Sequence, residues 1–562
     1  MFFKIFKVFF FIFLLIYQKP LYSKKNDIND FNLNDLSNYF SAQVSYDNQK
    51  NIDSLKFFNL SKSVLNEHEP YLKKYIFSLI LEEKINPAIK ELKSNQNKKN
   101  SDFFEAYLLL IIDSIVQNDL KKTKEYLYEM SKFNRQSNLN YFIYESLENF
   151  IYLFENKKIP FKENKFKSLS LINKAFHSCY LSEKDSEKYF LNLFNVEDFD
   201  YSRYFFFYIN DLIKKNKFTQ AKKFVDQINI LSSNLLVIQT KNWVDEEKYE
   251  RFNQIFSCKN ESHILSEYFF LIANLYSTQE NFKMSNFYLN LSSYLNKKFK
   301  FNLTLLSENF FKNKNYVKCK KILNYFNRKD DIYYWYKVKT NTKIISEQKG
   351  KEDSFKFINS ELKKFKKPSV KILFDMGNIA KNFKKYEIAV SYYDNLLSKI
   401  NSKTESYAEI LFRRGSSYER LGEYEKSDED LLNSLKINPD DAYVLNYLAY
   451  SWLERNHKID DSIKMLEKAH LLKKNDPFIL DSVGWAYYLI GDTKKAEYFL
   501  KKAIQIMPND PVVNDHYGDV LWKLNRKIQA KYYWQSVLSF EKTEEDMKKK
   551  INIKLLKGLN KI

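Results

Sequence analysis

The stretch from Ser482 to Pro511, SVGWAYYLIGDTKKAEYFLKKAIQIMPNDP, holds two of the chain's eight glycines and two of its nine prolines. Such a concentration marks either a local loop or one unit of a repeat, and the spacing decides for the repeat. Counted from Pro477, Gly484 falls at position 8, Tyr487 at 11, Gly491 at 15, Ala496 at 20, Leu500 at 24, Ala503 at 27 and Pro508 at 32. The unit reads as two antiparallel helices. Gly484 and Ala496 stand where the pair approaches most closely, since a larger side chain at either would force the axes apart. Ala503 gives the same clearance to the next unit. Gly491 ends the first helix in the left-handed conformation, and Asp492 caps the second. Asp510 caps the helix that follows, with Pro511 at its opening position, where a missing N–H costs nothing. Asp476 and Pro477 do the same one unit earlier.

Gly377, Gly415, Gly484 and Gly518, with Ala449 between the second and third, are separated by 38, 34, 35 and 34 residues. This period and these filled positions resemble the tetratricopeptide repeat family. Neighbouring units keep the pattern: Gly415, Gly422, Ser427 and Leu431; then Leu448, Ala449, Leu466 and Ala469; then Gly518, Ala530 and Trp534, with Asn525 replacing the turn glycine. Gly377, Ala389 and Tyr393 open the clear array. No glycine precedes Gly350, yet a small residue followed by a large one keeps returning at Ser54/Phe58, Ala88/Leu92, Ala221/Val225, Ser285/Leu289 and Cys319/Leu323. The expected fold is an all-α solenoid of tetratricopeptide helix-turn-helix repeats, degenerate in the N-terminal half. Residues 24–345 read as degenerate repeats and 365–541 as the clear array. Residues 542–562 read as a capping helix, with Ile551, Leu555 and Leu559 on the apolar edge and its lysines in water.

The first 23 residues, MFFKIFKVFFFIFLLIYQKPLYS, run from a basic start through a short apolar centre to a small residue, the order of a secretory signal. An uncleaved membrane anchor is the alternative. No cysteine stands at the end of the apolar run, which excludes the usual lipoprotein attachment. Localisation is therefore expected to be exported, periplasmic or membrane-associated on the periplasmic side. Of Cys179, Cys258 and Cys319, only Cys179 and Cys258 merit a test for pairing; Cys319 fits a small-residue packing slot. A formal charge of +21 points to nucleic acid or anionic membrane as an alternative partner. Only nine of the 91 basic residues are arginine, and the lysine excess reads as a solvated surface.

No phosphate cradle, zinc spacing or nucleophile elbow is present in the sequence, so neither enzyme activity nor a cofactor or metal is expected. Positions 2, 5, 9 and 12 of each first helix face the concave groove. They carry Phe412, Tyr443, Asn446, Tyr450, Phe478, Asp481, Trp485, Tyr488, Asp515, Asp519 and Trp522, as well as Ser416, Glu419 and Leu453. Aromatic rings beside carboxylates and an amide suit capture of an extended peptide. The blocks NYLAYSWLE, LDSVGWAYYLIG and NDHYGDVLWKLNR, between Asn446 and Arg526, resemble the final repeats of exported or envelope-associated bacterial tetratricopeptide proteins. One branch of these is a lipoprotein adaptor of a carboxy-terminal-processing protease. The resemblance implies a non-enzymatic scaffold or adaptor of the cell envelope with a protein or peptide partner, and presentation of substrates to a periplasmic protease as a further alternative.

Overall fold

The computed structural model describes residues 32–559 apart from 67–69, 96–98, 161–166, 184 and 196–200; the signal segment lies outside them. Every regular element among the described residues is helical, with thirty α-helices from Leu33 to Lys557. None is long and apolar enough to cross a membrane.

Most helices are joined in pairs by a tight turn that contains one residue of positive φ. In the C-terminal repeats this residue is Gly422, Gly491 or Asn525, and Lys384 and Asn456 serve in their neighbours. The same turn recurs where the sequence has no glycine. Gln49, Glu83 and Asn118, and later Asn216, Glu247, Glu280 and Lys314, all have φ between 55° and 62°. Left-handed geometry costs a residue with Cβ about 1 kcal/mol. The turn is thus held by the packing of the pair it joins. The small residues read from the sequence lie at the contacts: Ser54, Ala88, Ala221, Ser285 and Cys319 are all fully buried.

The chain divides into two compact units. Among the described residues, the first comprises those up to 226 and 234–330, the second 227–233 and those from 331 onward. In the first unit the hairpins close on themselves. Phe77 stacks on Phe287 at 4.5 Å, Asn290 Nδ2 donates to the Ile80 carbonyl at 2.7 Å, and Tyr294 donates to Asn86 at 2.9 Å. Early helices therefore pack on helices about two hundred residues later, a closure that the repeat pattern does not announce. At its centre Arg203 donates from Nε to Glu267 at 2.7 Å and from Nη2 to Asn302 at 2.7 Å, with its guanidinium 3.6 Å from the Phe270 ring centroid. Cys179 and Cys258 form a disulfide, and Cys319 is a buried free thiol.

The second unit is a stack of helical hairpins. Its helices are α1 (Asp331–Lys349), α2 (Lys351–Leu362), α3 (Val370–Asn382), α4 (Tyr386–Leu397), α5 (Glu405–Arg420), α6 (Tyr424–Ile437) and α7 (Ala442–Glu454). They continue with α8 (Ile459–Leu472), α9 (Pro477–Leu489), α10 (Thr493–Ile506), α11 (Pro511–Lys523), α12 (Lys527–Ser539) and α13 (Glu545–Lys557). Asp476 and Asp510 each accept two backbone N–H groups at the starts of α9 and α11, which open on Pro477 and Pro511. The core between α7 and α13 is one continuous cluster that includes Leu453, Ala496, Leu500, Ala503, Ala530, Trp534 and Ile551. Leu453, expected on the groove face, belongs to this core because the start of each next hairpin covers that side of its helix. Lys384, in the α3–α4 turn, pairs with Glu544 before α13 at 2.8 Å, so the stack curves enough for its third helix and its end to touch.

The closest approach within the quoted unit gives a direct test. A Cβ added at Gly484 would stand 2.6 Å from Leu500 Cγ and 3.2 Å from its backbone nitrogen. Gly484→Ala is expected to cost about 1–3 kcal/mol of unfolding free energy by urea denaturation; an unchanged midpoint would show that α9 and α10 separate freely.

Candidate functional site

The first helices α5, α7, α9 and α11 lie side by side, and between them opens a cleft of about 650 Å³. Asn446, Tyr447, Tyr450, Phe478 and Asp481 line it, with Glu419, Arg420, Ser451, Glu454 and Arg455 around them. Phe478 is 57% exposed and offers its ring to solvent. Asn446 Oδ1 is buried without a hydrogen-bond partner. A buried acceptor of this kind costs free energy until something donates to it. Tyr447 spans two helices, donating to Glu419 Oε2 of α5 at 2.9 Å.

Five residues read from the sequence, Glu419, Asn446, Tyr450, Phe478 and Asp481, are thus brought together. The others are distributed around the cleft. Phe412 packs edge-on against Tyr447 at 5.6 Å, and exposed Tyr443 donates to Asp476 at 3.1 Å. Trp485 is sandwiched between Tyr488 at 4.8 Å and the His516 ring at 4.0 Å, and its Nε1 donates to Glu454 at 3.0 Å. Ser416 is fully buried. Trp522 lies under Gly558: a Cβ there would stand 2.1 Å from its ring.

The three aspartates are not free acceptors. Asp481 is within 3.0 Å of His516 Nδ1. Asp519 accepts from Trp534 Nε1 at 3.0 Å and from Lys554 at 2.8 Å, and Asp515 also accepts from Lys554. Lys554, expected in water with the other lysines of the terminal helix, is 9% exposed and points into this acid pair. The reason is electrostatic: two neighbouring carboxylates at the end of a stack need a counter-charge, and α13 supplies it. Burial, then repulsion from Asp515, raises the Asp519 carboxyl to about 6 against the pull of Lys554. Burial pulls the His516 imidazole down, but Asp481, Asp515 and Asp519 more than reverse this, so it stands above its ordinary value.

Residues at position 6 of the first helices complete the face: Tyr447 and His516 each bond to the preceding first helix, and Arg413 stands near Lys381 of α3. Position 6 lies one step off the most inward-facing positions 2, 5, 9 and 12, so helical spacing alone does not single it out. A long polar side chain one step off that line reaches the groove all the same.

Residues 352–542 match the family model described as tetratricopeptide repeat. A tetratricopeptide-repeat-containing protein of Pseudomonas aeruginosa is 33% identical over 99 residues, which is 18% of this chain and 17% of that protein. One from Methanocaldococcus jannaschii is 36% identical over 85 residues, covering 15% and 14%. The matched segments span about a fifth or less of the curated relatives' length. Among solved structures, a tetratricopeptide repeat protein from Parabacteroides merdae aligns over 45% of this chain and 98% of its own, with 18% identity and a TM-score of 0.37. The match covers about a third of the chain, and there the sequence is similar to the tetratricopeptide repeat family in the register in which its glycines are read.

Proposed function

We propose that the protein is a non-enzymatic adaptor that holds an extended segment of a protein partner along the first-helix face of its C-terminal repeats, in an oxidising compartment of the bacterial envelope. The observation that carries this reading is the cleft over α5, α7 and α9, where tyrosine and phenylalanine rings surround an unpartnered amide oxygen, Asn446 Oδ1. Rings held by the scaffold supply contact area at little cost in conformational entropy, and an idle acceptor beside them is matched by a backbone N–H of an extended chain. The Cys179–Cys258 disulfide and the secretory order of the first 23 residues support export. Presentation of clients to an envelope protease is the narrower form of the same reading and rests on the resemblance of the final repeats.

Phe478 makes the cleanest probe, because its exposed ring can be removed without opening the core. Phe478→Ala is expected to weaken partner recovery in cross-linking and co-purification from native envelopes by roughly tenfold or more, with helical content unchanged. Recovery equal to that of the natural chain would overturn the site. Cytoplasmic accumulation of the full-length chain would overturn the export reading.

A further inference from the structure

Three cations meet at the α3–α5 end of this same face. Lys381, in the last turn of α3, donates to Ser416 Oγ on α5. Arg413, one turn earlier on α5, has its Nε buried without a hydrogen-bond partner; its ion-pair approach to Glu409 is 3.6 Å. Arg420, at the end of α5, approaches Glu419 at 3.3 Å and lines the cleft described above. Arginine is scarce in this chain, nine residues among 91 bases, so its placement is selective. The other arginines of the unit hydrogen-bond to carboxylates: Arg414 to Asp394 and Asp430, Arg455 to Asp428 and Arg526 to Glu497. Arg413 and Arg420 pair only with acids of their own helix, Glu409 and Glu419, Arg420 also meeting Tyr447, and both stand near the half-buried Lys381.

We infer that Lys381, Arg413 and Arg420 form a cationic pole of the groove that receives the acidic side chains of an extended partner segment. Arginine presents a planar fork that fits a carboxylate at two points, and an orphaned buried N–H is satisfied when such an acceptor arrives. Like charges gathered in a half-buried place also disfavour the empty state: burial, then Arg413 and Arg420, push the Lys381 ammonium down to about 8. Arg420 belongs to both the pole and the aromatic cleft, so one chain running from α3 to α9 meets cations first and rings second. Three first-helix spacings of about 10 Å make that path about 30 Å, which about nine extended residues cover. The inference rests on the groove reading above and adds the charge and the direction of its occupant.

The test uses the full-length protein and a fluorescent, end-blocked oligoglutamate peptide of about nine residues. Saturable binding is expected to fall at least tenfold in Lys381→Met and in Arg413→Gln. Neutralising exposed Lys494 and Lys531, on the second helices, should leave it within twofold. Lys381→Met is also expected to raise the melting temperature by several degrees, because it removes a charge that burial penalises; a lysine kept for packing alone would lower it. Arg420→Gln provides a second arginine variant should Arg413→Gln fail to fold. Equal binding by natural and pole variants overturns the proposal, as does binding only of a peptide with a free carboxyl terminus, or tighter binding of an oligonucleotide that the same variants abolish. Loss of the pole effect while Phe478→Ala still abolishes partner recovery would remove the pole and leave the cleft reading standing.

Discussion

Lys554→Met is expected to lower the unfolding free energy of the second unit by about 3 kcal/mol at pH 7.5. At pH 5 the loss should be far smaller. Lys554 is the counter-charge for two carboxylates, Asp515 and Asp519, the second buried and bound at 2.8 Å. Removing it strands charge at the end of the stack. The sign of the pH effect follows from Asp519, whose folded value of about 6 lies above its ordinary 3.8. A carboxyl raised in the folded state contributes stability that is fully present below about pH 4 and is lost as pH rises through 6. Without Lys554 its folded value rises further, so the deficit of the variant opens above pH 6 and closes below it. Urea titrations of both proteins at the two pH values measure this. Equal deficits would assign the effect to lost packing of the lysine stem. Asp519→Asn in the same chain is expected to restore most of the loss, because it removes the stranded charge as well as its partner.

The second large effect concerns the first unit. Replacing Cys179 and Cys258 together by serine is expected to cost about 3–4 kcal/mol, with a correspondingly lower melting temperature under non-reducing conditions. The bond closes a loop of 79 residues, and the chain-entropy argument gives about 4.5 kcal/mol for a loop of that length. Two serines buried in its place offset part of this through their own hydrogen bonds. The natural protein should lose the same amount on reduction, whereas the double variant should be indifferent to reductant. A melting temperature unaffected by either change would show that the helices around Cys179 hold without the link. Thiol labelling after denaturation also reports the compartment. Chains taken from an oxidising space should show one free thiol, Cys319, and chains held in the cytoplasm three.

The architecture was legible wherever a residue type stood in for a backbone conformation. Gly422 and Gly491 mark left-handed turns because glycine adopts them without strain, and the period could be counted from them. In the first unit the same conformation falls on Gln49, Glu83, Glu247 and Lys314. No residue type announces those turns, so the repeat survived there only as small buried residues such as Ala88 and Cys319. The groove face was legible as a line of aromatics, but the roles of its charges were not. Asp481, Asp515 and Asp519 looked like acids offered to a ligand, and they are engaged by His516 and Lys554, partners 35 to 39 residues away. Helical periodicity tells which way a side chain leaves its own helix. It does not tell what the next helix brings to meet it. The meeting of Arg413 and Lys381 is equally absent from the sequence, because it depends on the offset between α3 and α5.

If the first-helix face binds as proposed, the engagement of Lys554 sets where that face stops. Only residues 540–544 join α12 to α13, so this lysine is presented to Asp515 and Asp519 as a tethered ligand. A short tether gives a group an effective concentration in the millimolar range. Any cationic segment arriving from solution must compete against that local supply, and at micromolar concentration it loses by about a thousandfold before contacts are compared. The last repeat is therefore saturated by the chain's own end. On the groove reading proposed above, the vacancy left to a partner lies between the tether at one side and Lys381 at the other: a span of four first helices, α3 to α9, whose length is written into the protein by a cation that never leaves it.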